Sequence, residues 1–352
     1  MPETDYLTSP TPTTPPLCDY SDWSPSFFII PSVYLLAFLV GCLGNSLVLW
    51  AYLDRADGRK RRDQKAAEVG RLALADLCFL VTLPLWAIYT AMGYHWPFGQ
   101  PLCQISSFLT ALNMYASVFS LSMLSVERYW VLTGRRHSSH HAPRSCPSKS
   151  LWILGGVWVL AGVLALPGLL LRSVQESIFL SCQMDYSMLI RAELEEEEKE
   201  RTEMWWTAAL SLKSTLIGFL LPLIILLVCY CSLAQLLSRH FGRGPHPDRR
   251  RQRRLLRVIV TLVMAFFLCW LPLHVNKTVS LLLEFGFVPY SCSLDQILLA
   301  AHPYVTCLAY LNSCLNPLLY AACDPSFRKR CRGALLHLQS AASKIFIPLR
   351  NN

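Results

Sequence analysis

Residues 27–53 read FFIIPSVYLLAFLVGCLGNSLVLWAYL, an unbroken run from Phe27 to Leu53 without an Asp, Glu, Lys or Arg. A helix crosses ~30 Å of hydrocarbon with roughly 20 apolar residues, because each backbone N–H and C=O then pairs within the segment. Further runs in which charge is rare follow at Leu72–Met92, Ser106–Leu132, Leu151–Leu171, Trp206–Leu233, Val258–Leu283 and Leu298–Tyr320. The 352-residue chain is 53% hydrophobic and 16% charged, and its charges gather between these runs. The pattern predicts an all-α membrane protein, a seven-transmembrane helix bundle. Residues 1–26 form an acidic extracellular N-terminal tail, 27–322 the bundle, and 323–352 a short amphipathic helix 8 and cytoplasmic tail.

Seven crossings put the termini on opposite sides. Short loops rich in Lys and Arg stay in the cytoplasm. Such clusters are Arg55, Arg59, Lys60, Arg61 and Arg62; Arg249, Arg250, Arg251, Arg253 and Arg254; and Arg328, Lys329, Arg330 and Arg332. No Lys or Arg precedes Phe27, so the N-terminus is expected outside and the chain in the plasma membrane. The net charge of +9 then faces anionic lipid head groups and cytoplasmic partners rather than nucleic acid. The first residues are acidic and Pro/Thr-rich, unlike a cleavable signal peptide, so the first span is expected to direct insertion. Of 14 cysteines, Cys18, Cys103, Cys182 and Cys292 fall on the outer side. An oxidising exterior predicts two disulfides among them, with three pairings open.

The tail carries Asp5, Asp19 and Asp22 among prolines and threonines and cannot build a core. The outer loop after the fourth span holds Glu193, Glu195, Glu196, Glu197, Glu198, Glu200 and Glu203. Either it is a solvated charged helix or disordered loop, or it is a negative funnel that concentrates a cationic ligand. Arg239 to Arg257 is expected to be a loop leading into a basic helix start. Ser326 to Arg332, followed by Leu335, Leu336 and Leu338, predicts an amphipathic helix on the inner leaflet, with Cys331 a candidate for palmitoylation.

Ionisable groups inside a span need a partner or a role. Asp76 lies midway along the second span, and Asn113, Ser117, Asn312, Ser313 and Asn316 can converge on it. Such oxygens suit a small hard cation or a hydrogen-bonded knot. Glu127-Arg128-Tyr129 closes the third span, either as snorkelling anchors or as a bistable ion pair. Pro84, Pro167, Pro222, Pro272 and Pro317 each remove a backbone bond and favour a kink around an internal pocket.

Gly44-Asn45, Leu74-Ala75-Asp76-Leu77, Glu127-Arg128-Tyr129, Trp158, Pro222 with Tyr230, Cys269-Trp270-Leu271-Pro272 and Asn316-Pro317-Leu318-Leu319-Tyr320 occur in order, one set per helix. This resembles the rhodopsin-like (class A) G-protein-coupled receptors over about residues 27–330. Cys18 to Trp23, Thr82 to Ala87, Trp96-Pro97-Phe98-Gly99, Asn113 to Phe119, Cys182 to Met188 and Asn312 to Pro317 are similar to the peptide branch with angiotensin and chemokine receptors, above all to its apelin-receptor subfamily.

The resemblance implies disulfides Cys103–Cys182 and Cys18–Cys292, and an allosteric sodium ion at Asp76, Asn113, Ser117, Asn312 and Asn316, with no other cofactor. It implies a rotamer switch at Trp270 beside Pro272, and movement of the sixth span that exposes Arg128 to a heterotrimeric G protein of the inhibitory class. Glu127, Tyr129, Tyr230, Asn316, Pro317 and Tyr320 belong to that switch. The implied ligand is a basic extracellular peptide of the apelin type. Asp19 and Asp22 would meet its cations, and Tyr34, Trp86, Arg172, Lys277 and Asp295 would line the pocket. Lys277 and Arg172 would receive a carboxylate or carbonyl of the peptide.

The chain departs from the subfamily in four places. Met92, Gly93, Tyr94 and His95 stand where acidic residues are expected, and Leu273 stands where an aromatic is expected. Glu68 and Arg71 enter the second span at i and i+3, with Arg71 expected to point toward Trp158. Beyond Asp324 only Ser326, Ser340 and Ser343 carry hydroxyls, which predicts weak arrestin recruitment. Asn276-Lys277-Thr278 matches the glycosylation pattern inside or at the edge of a span and is expected to stay unmodified. Alternatives are a receptor for an angiotensin- or chemokine-like peptide, a decoy that binds without signalling, and a transporter, for which the expected internal repeats are missing. No enzyme constellation is present in the sequence.

Overall fold

The computed structural model describes residues 26–53, 64–134, 147–176, 180–191, 193–239, 247–323, 327–329, 331–333 and 336. Cys18, Asp19 and Asp22 lie outside the described residues, as do the side chains of Glu68, Glu127 and Arg128 within their helices.

Nine α-helices are described: α1 Ser26–Leu53, α2 Gln64–Leu80, α3 Leu83–Ala91, α4 Gly99–Gly134, α5 Pro147–Leu170, α6 Glu196–Thr215, α7 Leu221–Arg239, α8 Pro247–Glu284 and α9 Cys292–Cys323. The second span is α2 plus α3, and the fifth is α6 plus α7 joined through a π-helical turn, Leu216–Leu220. Among the described residues six helices are long and apolar enough to cross a membrane, and Gly155–Leu170 is a shorter apolar helix in the position of the fourth span. Residues 327–329, 331–333 and 336 are helical beyond α9, where the amphipathic helix was expected, and Phe327 is buried against the Tyr320 ring at 5.9 Å.

Proline chemistry explains both interrupted spans. Pro84 has no N–H to return to the preceding turn, and the chain breaks there. Thr82 closes the gap, donating its N–H and its hydroxyl to the Phe79 carbonyl at 2.9 and 2.7 Å. Pro222 follows the π-helical turn, where the Leu221 N–H reaches back to Leu216 O. One extra residue per turn accommodates the missing donor without ending the helix.

The bundle is inside-out relative to a soluble protein. Leu36, Leu39 and Leu43 recur at helical spacing on α1 and are 61%, 63% and 74% exposed, the area a lipid tail would cover. Small residues let the interior helices close up. A Cβ on Gly44 would sit 2.9 Å from Pro317 Cβ, and one on Gly168 would sit 3.0 Å from the Ser107 carbonyl oxygen. The Asn45 amide donates to Gly41 O and Ser313 O, both at 3.0 Å, which fixes the first span against the seventh.

The structure corrects the expected element boundaries. The glutamates from Glu196 onward are helical, and α6 begins nearly three turns before the apolar run that starts at Trp206. Glu196, Glu197 and Glu198 occupy its first turn, where the helix dipole favours negative charge. The basic helix start lies at Pro247, so Arg249 to Arg254 are already helical. The outer loop also contains a hairpin, β1 Arg172–Glu176 paired antiparallel with β2 Leu180–Met184, Val174 facing Cys182.

Candidate functional site

The hairpin is fixed over the mouth of the bundle by three devices. Cys182 is disulfide-bonded to Cys103 at the outer end of α4. The Gln100 side chain bonds both ways to β1, donating to Arg172 O at 2.8 Å and accepting from Val174 N–H at 2.7 Å. Fully buried Trp96 donates its backbone N–H to Leu180 O at 2.7 Å and packs on Trp86, Tyr89 and Phe98. Asp185, just after β2, accepts the Ser187 N–H at 2.9 Å, and the Ser187 hydrogen bonds hold its carboxyl below the usual range. Cys292 is disulfide-bonded as well, to a partner outside the described residues.

Below the hairpin lies a cavity of about 340 Å³. Of the residues expected to line a ligand pocket, Trp86, Arg172 and Lys277 line this cavity. Tyr34 does not; it is buried against the ring of Tyr310, a lining residue, at 5.7 Å. Asp295 is also outside the lining and accepts from Tyr290 at 3.5 Å. The Arg172 guanidinium donates to Cys182 O at 2.8 Å, and burial lowers its pKa from the usual value. Lys277 lies within Coulombic reach of Arg172, His274 and His302.

Charge in this cavity has one sign. Arg172, Lys213 and Lys277 line it, and no Asp or Glu does among the described residues. Among the described residues, five that line the cavity hold a buried side-chain polar atom without a hydrogen-bond partner: Trp86 Nε1, Ser107 Oγ, Trp270 Nε1, His274 Nε2 and Thr306 Oγ1. Buried polar groups without partners are costly. Indole and ammonium groups only donate, so a ligand that satisfies this wall must bring acceptors.

Deeper in the bundle, Asp76 is fully buried. Its Oδ1 accepts from Asn113 Nδ2 at 2.8 Å and its Oδ2 from Asn316 Nδ2 at 2.9 Å, while Ser313 donates to Asn113 Oδ1 at 3.0 Å. Asn312 is buried nearby in sequence, and the buried Ser117 hydroxyl has no hydrogen-bond partner. The donor set of one carboxylate, hydroxyls and amide oxygens fits a hard monovalent cation. Asn113 and Asn316 compete with such a cation for the Asp76 lone pairs.

Toward the end of the bundle away from the hairpin, the Tyr230 and Ser125 oxygens are 2.9 Å apart. Ser125 spends its one proton on Leu121 O at 2.8 Å, so Tyr230 is the donor. Trp270 stacks on Phe266 at 5.9 Å, and Pro272 lies inside α8 as Pro317 lies inside α9. The backbone of Glu127-Arg128-Tyr129 is helical within α4. Cys331 is half-buried, which raises its thiol pKa. The Asn276 side chain is buried, and its amide donates to Leu298 O at 3.0 Å.

Sequence reasoning missed Lys213, His274 and His302 in the cavity. Lys213 carried a usable signal, being a lone cation within an apolar run. His274 stands one turn beyond Trp270 on the same helix face.

Known proteins place this arrangement. The profile of the 7 transmembrane receptor (rhodopsin family) matches residues 44–320. Apelin receptor B of Danio rerio is 46% identical over 333 residues, covering 92% of this chain and 87% of that protein. The apelin receptor of Xenopus tropicalis is 41% identical over 334 residues, covering 94% and 87%. The type-1 angiotensin II receptor of Bos taurus is 33% identical over 311 residues, covering 86% and 79%. The chain thus belongs to the rhodopsin family of G-protein-coupled receptors, multi-pass membrane receptors and not enzymes, and within it resembles the apelin receptors.

Proposed function

We propose that this receptor binds a basic extracellular peptide of the apelin type and signals through inhibitory G proteins. The observation that carries the reading is the split of charge across the mouth: exposed Glu196, Glu197, Glu198, Glu200 and Glu203 stand on α6 above a cavity whose charged lining residues are cations. A peptide with a basic body and a free carboxylate end matches both layers. The acidic rim and the tail residues Asp19 and Asp22 steer and orient it, and Arg172 and Lys277 receive the carboxylate. Trp86 and Tyr310 bound its end, with Tyr34 and Asp295 supporting from behind and above. The apelin-receptor relatives support the ligand class. The N-terminus stands outside, with Cys18 as the partner of Cys292.

In this reading a ligand pressing on Trp270 loosens α8 about Pro272. Tyr230 leaves Ser125, Arg128 is freed from Glu127, and a G-protein helix enters beside Tyr129 and Tyr320, with Asn316-Pro317 as the hinge in the seventh span. Sodium at Asp76, Asn113, Ser117, Asn312 and Asn316 supplies charge compensation that favours the resting arrangement. Cys331 carries a lipid chain beside the inner leaflet.

The test is inhibition of cyclic-AMP formation in cells expressing the chain, challenged with apelin-type, angiotensin and chemokine peptides. Inhibition by the apelin type alone, abolished by pertussis toxin, is expected. Silence to that peptide with a response to another overturns the ligand, and binding without nucleotide exchange marks a decoy.

A further inference from the structure

Lys213 stands apart from the other cations of the cavity. Its ammonium donates to Leu164 O of α5 at 2.8 Å and lies 5.8 Å from the centre of the Tyr115 ring of α4. The side chain therefore points into the bundle between the third, fourth and fifth spans instead of snorkelling to the membrane surface. Arg172, His274 and His302 all interact with Lys277, whereas Lys213 belongs to no such group. An ammonium has three donors. Among the described residues Leu164 O is its protein acceptor, and no carboxylate lines this cavity.

The wall around Lys213 matches that need for a counter-charge. Ser107 Oγ, buried and without a hydrogen-bond partner, lines the same cavity, as do Ser211 and Ser214 from the same turn of α6 as Lys213. A Cβ on Gly168 would sit 3.0 Å from the Ser107 carbonyl oxygen, so α5 and α4 close up beside this cavity, which Leu164, Gly168 and Ser107 all line. The aromatic surfaces of Tyr115 and Trp270 bound the space beside it.

We propose that Lys213 is a second anion site, separate from the Arg172–Lys277 pair, and that the receptor selects ligands whose buried end carries two separated carboxylates. The upper pair takes the terminal carboxylate, and Lys213, aided by the Ser107 hydroxyl, takes a side-chain carboxylate on the last residue. Tyr115 keeps the ammonium poised through its ring face. Selection arises because a ligand lacking the second carboxylate covers the half-buried cation without giving it a counter-charge, whereas one bearing it forms an ion pair shielded from water. This assignment rests on the peptide reading above and refines what that peptide must end in.

The experiment uses the full chain on cells, with surface amount measured through an N-terminal epitope. Three probes share one basic body and end in phenylalanine, phenylalanine amide or 4-carboxyphenylalanine. On the unaltered receptor the extra carboxyl is expected to tighten binding about tenfold. Lys213→Gln keeps a donor for Leu164 O but removes the charge, and should erase that gain. Lys213→Arg should retain it. Amidation should weaken binding equally in the unaltered receptor and in Lys213→Gln, since it reports on the upper pair. A gain that persists in Lys213→Gln, or no gain on the unaltered receptor, overturns the second site while leaving the peptide reading intact. If none of the probes binds the unaltered receptor at the surface, the peptide reading falls and this assignment falls with it.

Discussion

Asn316 donates to Asp76 Oδ2 at 2.9 Å, and this bond ties the seventh span to the second through a carboxylate that no solvent reaches. Because Asn113 occupies the other oxygen at 2.8 Å, three spans share one charge. Any cation that enters must draw on the same lone pairs, so ion binding and helix position are coupled.

Asp76→Asn keeps the volume and removes the charge. Agonist affinity in the unaltered receptor should fall about tenfold when sodium chloride replaces choline chloride, the shift expected for a ligand present at ten times its dissociation constant. The variant should show no such shift. A full sodium effect in Asp76→Asn would sink the assignment.

Tyr230→Phe deletes the bond to Ser125 while leaving the ring in place. The cost is about 1 kcal/mol of resting-state stability, read as a lower thermal midpoint of the purified receptor. Ser125→Ala should cost a similar amount, and the double variant less than the sum, because the two groups share one interaction. Additive losses would show that the pair is not coupled.

Gly44→Val places a Cβ 2.9 Å from Pro317 Cβ. Overpacking of this kind costs about 1–3 kcal/mol, so surface expression and thermal midpoint should both drop. Gly155→Val is the control: nothing lies within 4 Å of its would-be Cβ, and its expression should match the unaltered chain.

Asp185 gives a pH dependence of definite sign. Hydrogen bonds from Ser187 hold its folded pKa below the unfolded carboxylate value of ~3.9. Its contribution is complete above that value and is lost as pH falls through the lower, folded one. Asp185→Asn should therefore lower hairpin stability at pH 7, measured by hydrogen exchange across residues 180–187, and the difference from the unaltered chain should shrink in strong acid. An equal difference at both pH values would refute it.

The bundle was legible from Phe27 to Tyr320 because lipid-crossing segments announce themselves by composition alone. The Asp76 knot was legible for a related reason: a carboxylate in an apolar run demands partners, and Asn113 and Asn316 supply them. Hydropathy is blind outside the membrane, so it could not choose between a charged helix and a loop for Glu196 to Glu203, which are helical, nor say that the basic helix start begins as early as Pro247. The hairpin escaped because Arg-Ser-Val-Gln-Glu carries no useful alternation, and its strands are set by Cys182, Gln100 and Trp96 from other elements. Tyr34 was placed in the pocket and instead supports Tyr310 from behind.

The π-helical turn at Leu216–Leu220 sets the angular phase of everything outside it in the fifth span. One residue of helix is ~100° of rotation. Deleting Ile217 would close the bulge and turn α6 by that angle, carrying Lys213 from the ligand wall toward lipid and re-aiming the whole glutamate rim. A single extra residue thus works as an index mark between the two halves of one helix, fixing which side chains of α6 face the cavity for a given setting of α7.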